Sequence, residues 1–130
     1  MDIENQVVSL ELAKKMKELG FGQESEWYWV INQDSAFTDW CLESQRYIKY
    51  YKKDNKEYYP AYTVAELGEM LPKIIENLYK LEIWYRGNNC IVEYPANDYT
   101  DCKLHRVEAD TEANARAKML IWLKENGYLK

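Results

Sequence analysis

The chain has one histidine, His105, and three cysteines, Cys41, Cys90 and Cys102, an odd number with no regular spacing. A disulfide framework needs cysteines in even, patterned sets, so none is expected, and a reducing cytoplasm is the easier setting. A zinc site would have to use Cys102 and His105 at C-x-x-H spacing, completed by Cys41 and Cys90. Neither of those two has a neighbouring partner ligand, whereas structural zinc ligands usually arrive in pairs. The thiols read as small buried hydrophobes, and no metal or other cofactor is called for. Cys102 and His105 also fail as a nucleophile and base, because positions three apart on a strand point to opposite faces.

Long apolar runs are absent too. Met119 to Leu123 is far short of a membrane span. Met1 to Val8 carries acidic and amide residues and no basic one, the wrong charge for a secretory leader. No phosphate-binding glycine loop, dinucleotide fingerprint or H-E-x-x-H pair occurs. Carboxylates are plentiful, but Glu66 serves a helix cap, Glu82 and Glu93 the polar side of a hairpin, and Asp98 and Asp101 a polar loop. With no converging nucleophile, base or metal set, the chain does not read as an enzyme, and no small-molecule substrate is evident. The net charge of −5 also works against a phosphate-neutralising surface. The basic clusters Lys14, Lys15, Lys17 and Lys49, Lys52, Lys53, Lys56 are interleaved with acids or tyrosines.

What remains fits one domain, residues 1–130, of the α+β class: a mostly antiparallel sheet of about four to six strands with three helices packed on it. The 47% apolar content supplies a core. Ser9 can cap a first helix that Gly20 ends, with Leu12, Ala13, Met16 and Leu19 on one side. Trp27-Tyr28-Trp29-Val30-Ile31 reads as a strand apolar on both faces, which an α-β-α layering would cover. Asn32 to Ser35 reads as a turn, Arg46 to Tyr51 as a strand, Asp54-Asn55 as a further turn, and Tyr58 to Tyr62 as extended. Thr63-Val64-Ala65-Glu66 is a capping box opening a second helix that Pro72 ends or kinks, with Ile74, Ile75 and Leu78 continuing as a further turn.

A hairpin follows. With Asn88-Asn89 as its turn, Tyr85 opposes Val92 and Ile83 opposes Tyr94. Slipping the turn to Gly87-Asn88 would set Glu82 against Glu93, which favours the first register. Lys103 to Ala109 supplies a third strand. The last helix is capped by Asp110 or Thr111, buries Ala113, Ala117, Leu120, Ile121 and Leu123, and stops at Gly127.

Two functional readings survive. The chain holds 12 Tyr and 5 Trp, residues enriched at interfaces. Tyr47, Tyr50, Tyr51, Tyr58, Tyr59 and Tyr62 crowd one segment and cannot all enter a small core, so they form a candidate surface for a protein partner or a second copy. The alternative is a DNA-binding transcriptional regulator with a winged-helix-like element at residues 63–94, Tyr62 to Leu71 serving as the opening helix. Against it, Pro72 to Asn77 offers a single basic residue, so nucleic acid is the less favoured partner.

The stretches Tyr62 to Pro72 (YTVAELGEMLP) and Asp110 to Ile121 (DTEANARAKMLI), with the opening Asn5 to Ala13 (NQVVSLELA), resemble a family of uncharacterised small proteins encoded by phages and prophages of gut bacteria. The last helix is also similar to that of phage α-β-α sandwich domains. The resemblance implies an origin in mobile DNA and a cytoplasmic location. It transfers no catalytic residue.

Overall fold

The computed structural model describes residues 2–32, 39–48, 57–97 and 102–129. Among the described residues about 34% are helical and about 36% are strand, an α+β fold whose strand pairings are all antiparallel. Instead of one sheet, the described residues form three: two of three strands and one two-stranded ribbon.

After a 3₁₀ turn at Ile3–Asn5, helix α1 runs Leu10–Glu18. Ser9 caps it, its hydroxyl accepting from the Leu12 amide at 3.3 Å, and Gly20 follows it in the left-handed region at φ +87°. Strand β1 (Trp27–Asn32) is the centre of the first sheet, between β2 (Asp39–Ser44) and β3 (Tyr58–Pro60). Both faces of β1 are used, as its composition implied. Tyr28 and Val30 bury with Ile48, while Trp29 packs on the main core and donates its indole N–H to the Val8 carbonyl at 2.8 Å. Strand β2 had no clear sequence signal. The expected strand from Arg46 is not formed: residues 45–48 are helical. The rest of that expectation, and the turn at Asp54-Asn55, lie outside the described residues.

Helix α2 (Val64–Met70) opens on the complete capping box: Thr63 Oγ1 takes the Glu66 amide at 3.2 Å, and Glu66 Oε1 takes the Thr63 amide at 2.9 Å. It ends before Pro72, but no helical turn continues it. Ile74–Ile75 (β4) pairs with Tyr79–Lys80 (β5) across Glu76 and Asn77, both left-handed at φ 55° and 57°. Two consecutive left-handed residues build the turn whose twist matches a hairpin.

The second three-stranded sheet joins β6 (Glu82–Arg86), β7 (Asn89–Pro95) and β8 (Lys103–Ala109). Its first hairpin corrects the expected register. The turn is Gly87-Asn88, Tyr85 opposes Cys90, and Glu82 does oppose Glu93. Gly87 sits at φ +63°, which glycine adopts without strain. The like-charge pairing is relieved from the third strand. Arg106 lies opposite Glu93 on β8 and approaches it to 3.8 Å, Lys103 approaches to 3.7 Å, and Trp84 donates to it at 3.2 Å.

Helix α3 (Glu112–Glu125) is capped by Thr111 and followed by Gly127 at φ +82°. It buries Ala113, Ala115, Ala117, Met119, Leu120, Ile121 and Leu123, nearly all round, as a central helix does. It packs on β7 and β8 and also meets α1 and α2, while α1 packs on β3. The helices therefore bridge two sheets, and on the first sheet α1 meets β3 while Ile48 of the helical residues 45–48 packs on Tyr28 and Val30.

Candidate functional site

Five separate stretches of chain converge on an open cleft of about 920 Å3. The 3₁₀ turn contributes Ile3, Asn5 and Gln6. The entry to β1 contributes Glu26 and Trp27, the start of α2 Thr63 to Ala65, and the start of α3 Asp110 to Glu112; Tyr85 closes one side from β6.

These stretches are tied together by polar contacts at the helix starts. The N-terminal arm pairs with the approach to α2: the Val8 amide donates to Tyr62 O at 3.0 Å and the Val64 amide to Gln6 O at 3.1 Å. The Glu66 carboxylate does more than close its capping box. It also accepts from Ser25 Oγ at 2.8 Å and from the Glu26 amide at 3.3 Å, so the same side chain fixes the backbone that carries Glu26 and Trp27. On α3, Asn114 Oδ1 accepts the Ser9 amide at 2.8 Å, locking the start of that helix to the start of α1.

The Tyr85 wall has its own network. Its hydroxyl donates to Glu112 Oε1, and Arg116 binds the other oxygen of Glu112 through Nε at 3.1 Å and Nη2 at 2.9 Å. Donation to Glu112 stabilises the protonated phenol and pushes the Tyr85 pKa up to about 12, with smaller contributions from burial and the Glu112 charge. Tyr85 is nevertheless 59% exposed, an aromatic ring held in place at the rim of the cleft. Gly68 on α2 lies where a Cβ would run into Arg116 Nη1, so the missing side chain leaves room for the guanidinium. Below Tyr85, Cys90 is fully buried and its thiol pKa is raised, chiefly by burial.

The described tyrosines of the segment, Tyr47, Tyr58, Tyr59 and Tyr62, do not share one surface. Tyr62 is 2% exposed and belongs to the main core, which corrects its assignment to a partner face; its pKa is pushed up to about 12 by burial, then by Glu66 and Tyr28. Tyr58 and Tyr59 are consecutive on β3, so they point to opposite faces. Tyr58 packs edge-on against Tyr28, and Tyr59 lies 5.7 Å from Trp40 and under Lys14 and Lys17. Tyr47 is exposed on the helical residues 45–48. Tyr50 and Tyr51 lie outside the described residues.

The other chemical candidates stay apart. His105 stacks on Trp122 at 4.1 Å, with burial lowering its pKa. Cys102 is exposed, and Cys90 is sealed in the core. No group of three or more potential metal ligands occurs among the described residues. In the segment considered for a winged helix, a β-ribbon occupies the place of the second helix. Trp84, exposed on the outer face of the second sheet, is already engaged by Glu93 and by Arg106, whose guanidinium carbon lies 5.1 Å from the ring centre.

Sequence reasoning found Thr63 and Thr111 as caps but not as the walls of a cleft. The residues that meet there are distant in sequence, and no local spacing announces them. Among the described residues no helix is long and apolar enough to cross a membrane. No family model, no curated protein and no solved structure matches the chain.

Proposed function

We propose that the chain is a non-enzymatic accessory protein of phage or prophage origin that works in the cytoplasm by binding another protein, and that it does so at the cleft rather than along the tyrosine segment. The observation that carries this reading is the composition of the cleft wall. Two aromatic rings, Trp27 and Tyr85, stand among amides, hydroxyls, carboxylates and the apolar Ile3, Val64 and Ala65, and among the described residues no histidine, cysteine, lysine or arginine lines the cleft. Such a wall offers rigid aromatic area and hydrogen-bonding groups, the materials of an interface, without a nucleophile and base set beside one another. Its parts are held by helix caps and the Tyr85–Glu112–Arg116 network, so little ordering is required on binding.

The test is comparative purification. The tagged full chain and a Glu26→Lys/Tyr85→Glu variant are expressed in the native host, and co-purifying proteins are quantified, re-purified and titrated back. A partner that binds the wild-type chain directly and is lost with the variant is expected. A partner bound equally by both would remove the cleft from the account, and self-association seen by light scattering and insensitive to the variant would do the same.

A further inference from the structure

Among the described residues the cleft is lined by three carboxylates and by no basic side chain. Glu26, Asp110 and Glu112 line it, and Glu66 lies just behind Glu26. Their commitments differ. Both oxygens of Glu66 are taken by Ser25, the Thr63 amide and the Glu26 amide, and both of Glu112 by Tyr85 and Arg116. Asp110 accepts one bond from the Asn114 side-chain amide at 3.3 Å through a single oxygen. Among the described residues no side chain pairs with Glu26, which stands exposed beside Trp27.

Two effects oppose each other. The N-terminal ends of α2 and α3 both open on the cleft, and each carries roughly half a positive charge that favours an anion. Arg116 adds one more behind Glu112. Set against four carboxylates, these leave the region negative by roughly two charges, and the carboxylates win. The unused acceptors belong to Glu26 and Asp110, both exposed and both lining the cleft, whereas both helix starts already have their caps.

We infer that the occupant of the cleft is a basic peptide segment of the partner protein, its Lys or Arg side chains meeting Glu26 and Asp110 and lying against the rings of Trp27 and Tyr85. The inference rests on the binding reading above and adds the sign of the partner's charge. Aromatic faces attract cations through their quadrupole, and carboxylates beside them supply directional acceptors, so the two features select the same chemistry. A neutral segment would leave Glu26 and Asp110 desolvated without partners, and an acidic one would be repelled.

The probe is a set of three fluorescein-labelled peptide pools of about ten residues, long enough to cross the cleft when extended. All share interspersed Tyr and Leu, and the charged positions hold Lys/Arg, Gln/Ser or Asp/Glu. Anisotropy titrations against the full chain are run at about 50 mM and about 300 mM salt. The basic pool is expected to bind, at least fivefold more weakly at the higher salt. Glu26→Lys is expected to weaken it at least tenfold, and Trp27→Ala about fivefold. Glu125→Lys, at the opposite end of α3, makes the same change in net charge and is expected to have less than a twofold effect. Thermal melts confirm that each variant folds, and Glu26→Gln keeps the test alive should Trp27→Ala fail. If the neutral or acidic pool binds as well as the basic one and responds to Trp27→Ala, the charge inference falls while the cleft reading stands. Basic binding that responds equally to Glu26→Lys and Glu125→Lys is attraction to an acidic chain and overturns the inference. So does no binding by any pool, which leaves the partner purification as the separate judge of the cleft.

Discussion

Replacing Gly68 by alanine ought to stabilise a helix, and in this chain it should do the opposite. In an exposed helix interior the change removes backbone freedom from the unfolded chain and gains about 1 kcal/mol. At position 68 the added Cβ would strike Arg116 Nη1 and come within 3.5 Å of Cζ. The guanidinium must swing away, and it cannot do so while holding Glu112 through Nε and Nη2. That pair is only 18% and 24% exposed, so it is poorly screened, and hydrogen bonds to a charged group are worth about 1.5–3 kcal/mol. Loss of the pair outweighs the propensity gain, and Gly68→Ala should destabilise the protein by about 1 kcal/mol. In an Arg116→Ala background the obstacle is gone, and the same substitution should stabilise by about 1 kcal/mol. The coupling energy is therefore about 2 kcal/mol, well above ordinary non-additivity between distant sites. Urea unfolding followed by tryptophan fluorescence on the four proteins of the cycle measures it. If Gly68→Ala stabilises both backgrounds equally, Arg116 does not need the space and the account of the Tyr85 wall is wrong.

Other outcomes follow from the same geometry. Glu76→Asn with Asn77→Gly supplies the residues preferred for two left-handed positions and should raise stability by about 1 kcal/mol in urea unfolding, whereas an unchanged or lowered midpoint would contradict the ribbon turn. Leu120→Ala, at a fully buried position of the central helix, should lower stability by about 2–5 kcal/mol, and a loss under 1 kcal/mol would mean that α3 is not central. Alkaline conditions should destabilise the fold. Tyr62 and Tyr85 hold their protons to about pH 12, above the ordinary value near 10, so over that window the unfolded chain loses protons first and stability falls as pH rises. Tyrosinate absorbance of the folded protein should accordingly lag that of the unfolded chain, and coincident titrations would refute it.

The parts of the fold legible in the sequence were those specified by neighbours along the chain. Ser9, the Thr63–Glu66 box and Thr111 mark helix starts because a cap acts within three residues. The second hairpin's register was not legible, because the charges that make Glu82 opposite Glu93 tolerable come from Arg106 and Lys103 on a third strand. Ile74, Ile75 and Leu78 imitate a helical stripe, and no glycine at Glu76 or Asn77 gave the turn away. Tyr62 looked like a surface tyrosine because the count of aromatics exceeded one small core, but the count does not say which ones stay outside. The cleft was hidden for the same reason as the register: Trp27, Thr63, Tyr85 and Asp110 meet only through tertiary packing.

The most direct test of the cleft uses the two neighbouring aromatics of β6, whose side chains leave opposite faces of the sheet. A photo-crosslinking phenylalanine analogue is placed at Tyr85, and in a parallel protein at Trp84, and both are illuminated in the native host. If the cleft is the binding surface, position 85 forms a discrete crosslinked species with one partner, mapped by mass spectrometry to a single segment and diminished by Glu26→Lys, while position 84 forms none. A discrete adduct from position 84 that is absent at 85 would place the partner on the outer face of the sheet and contradict the account.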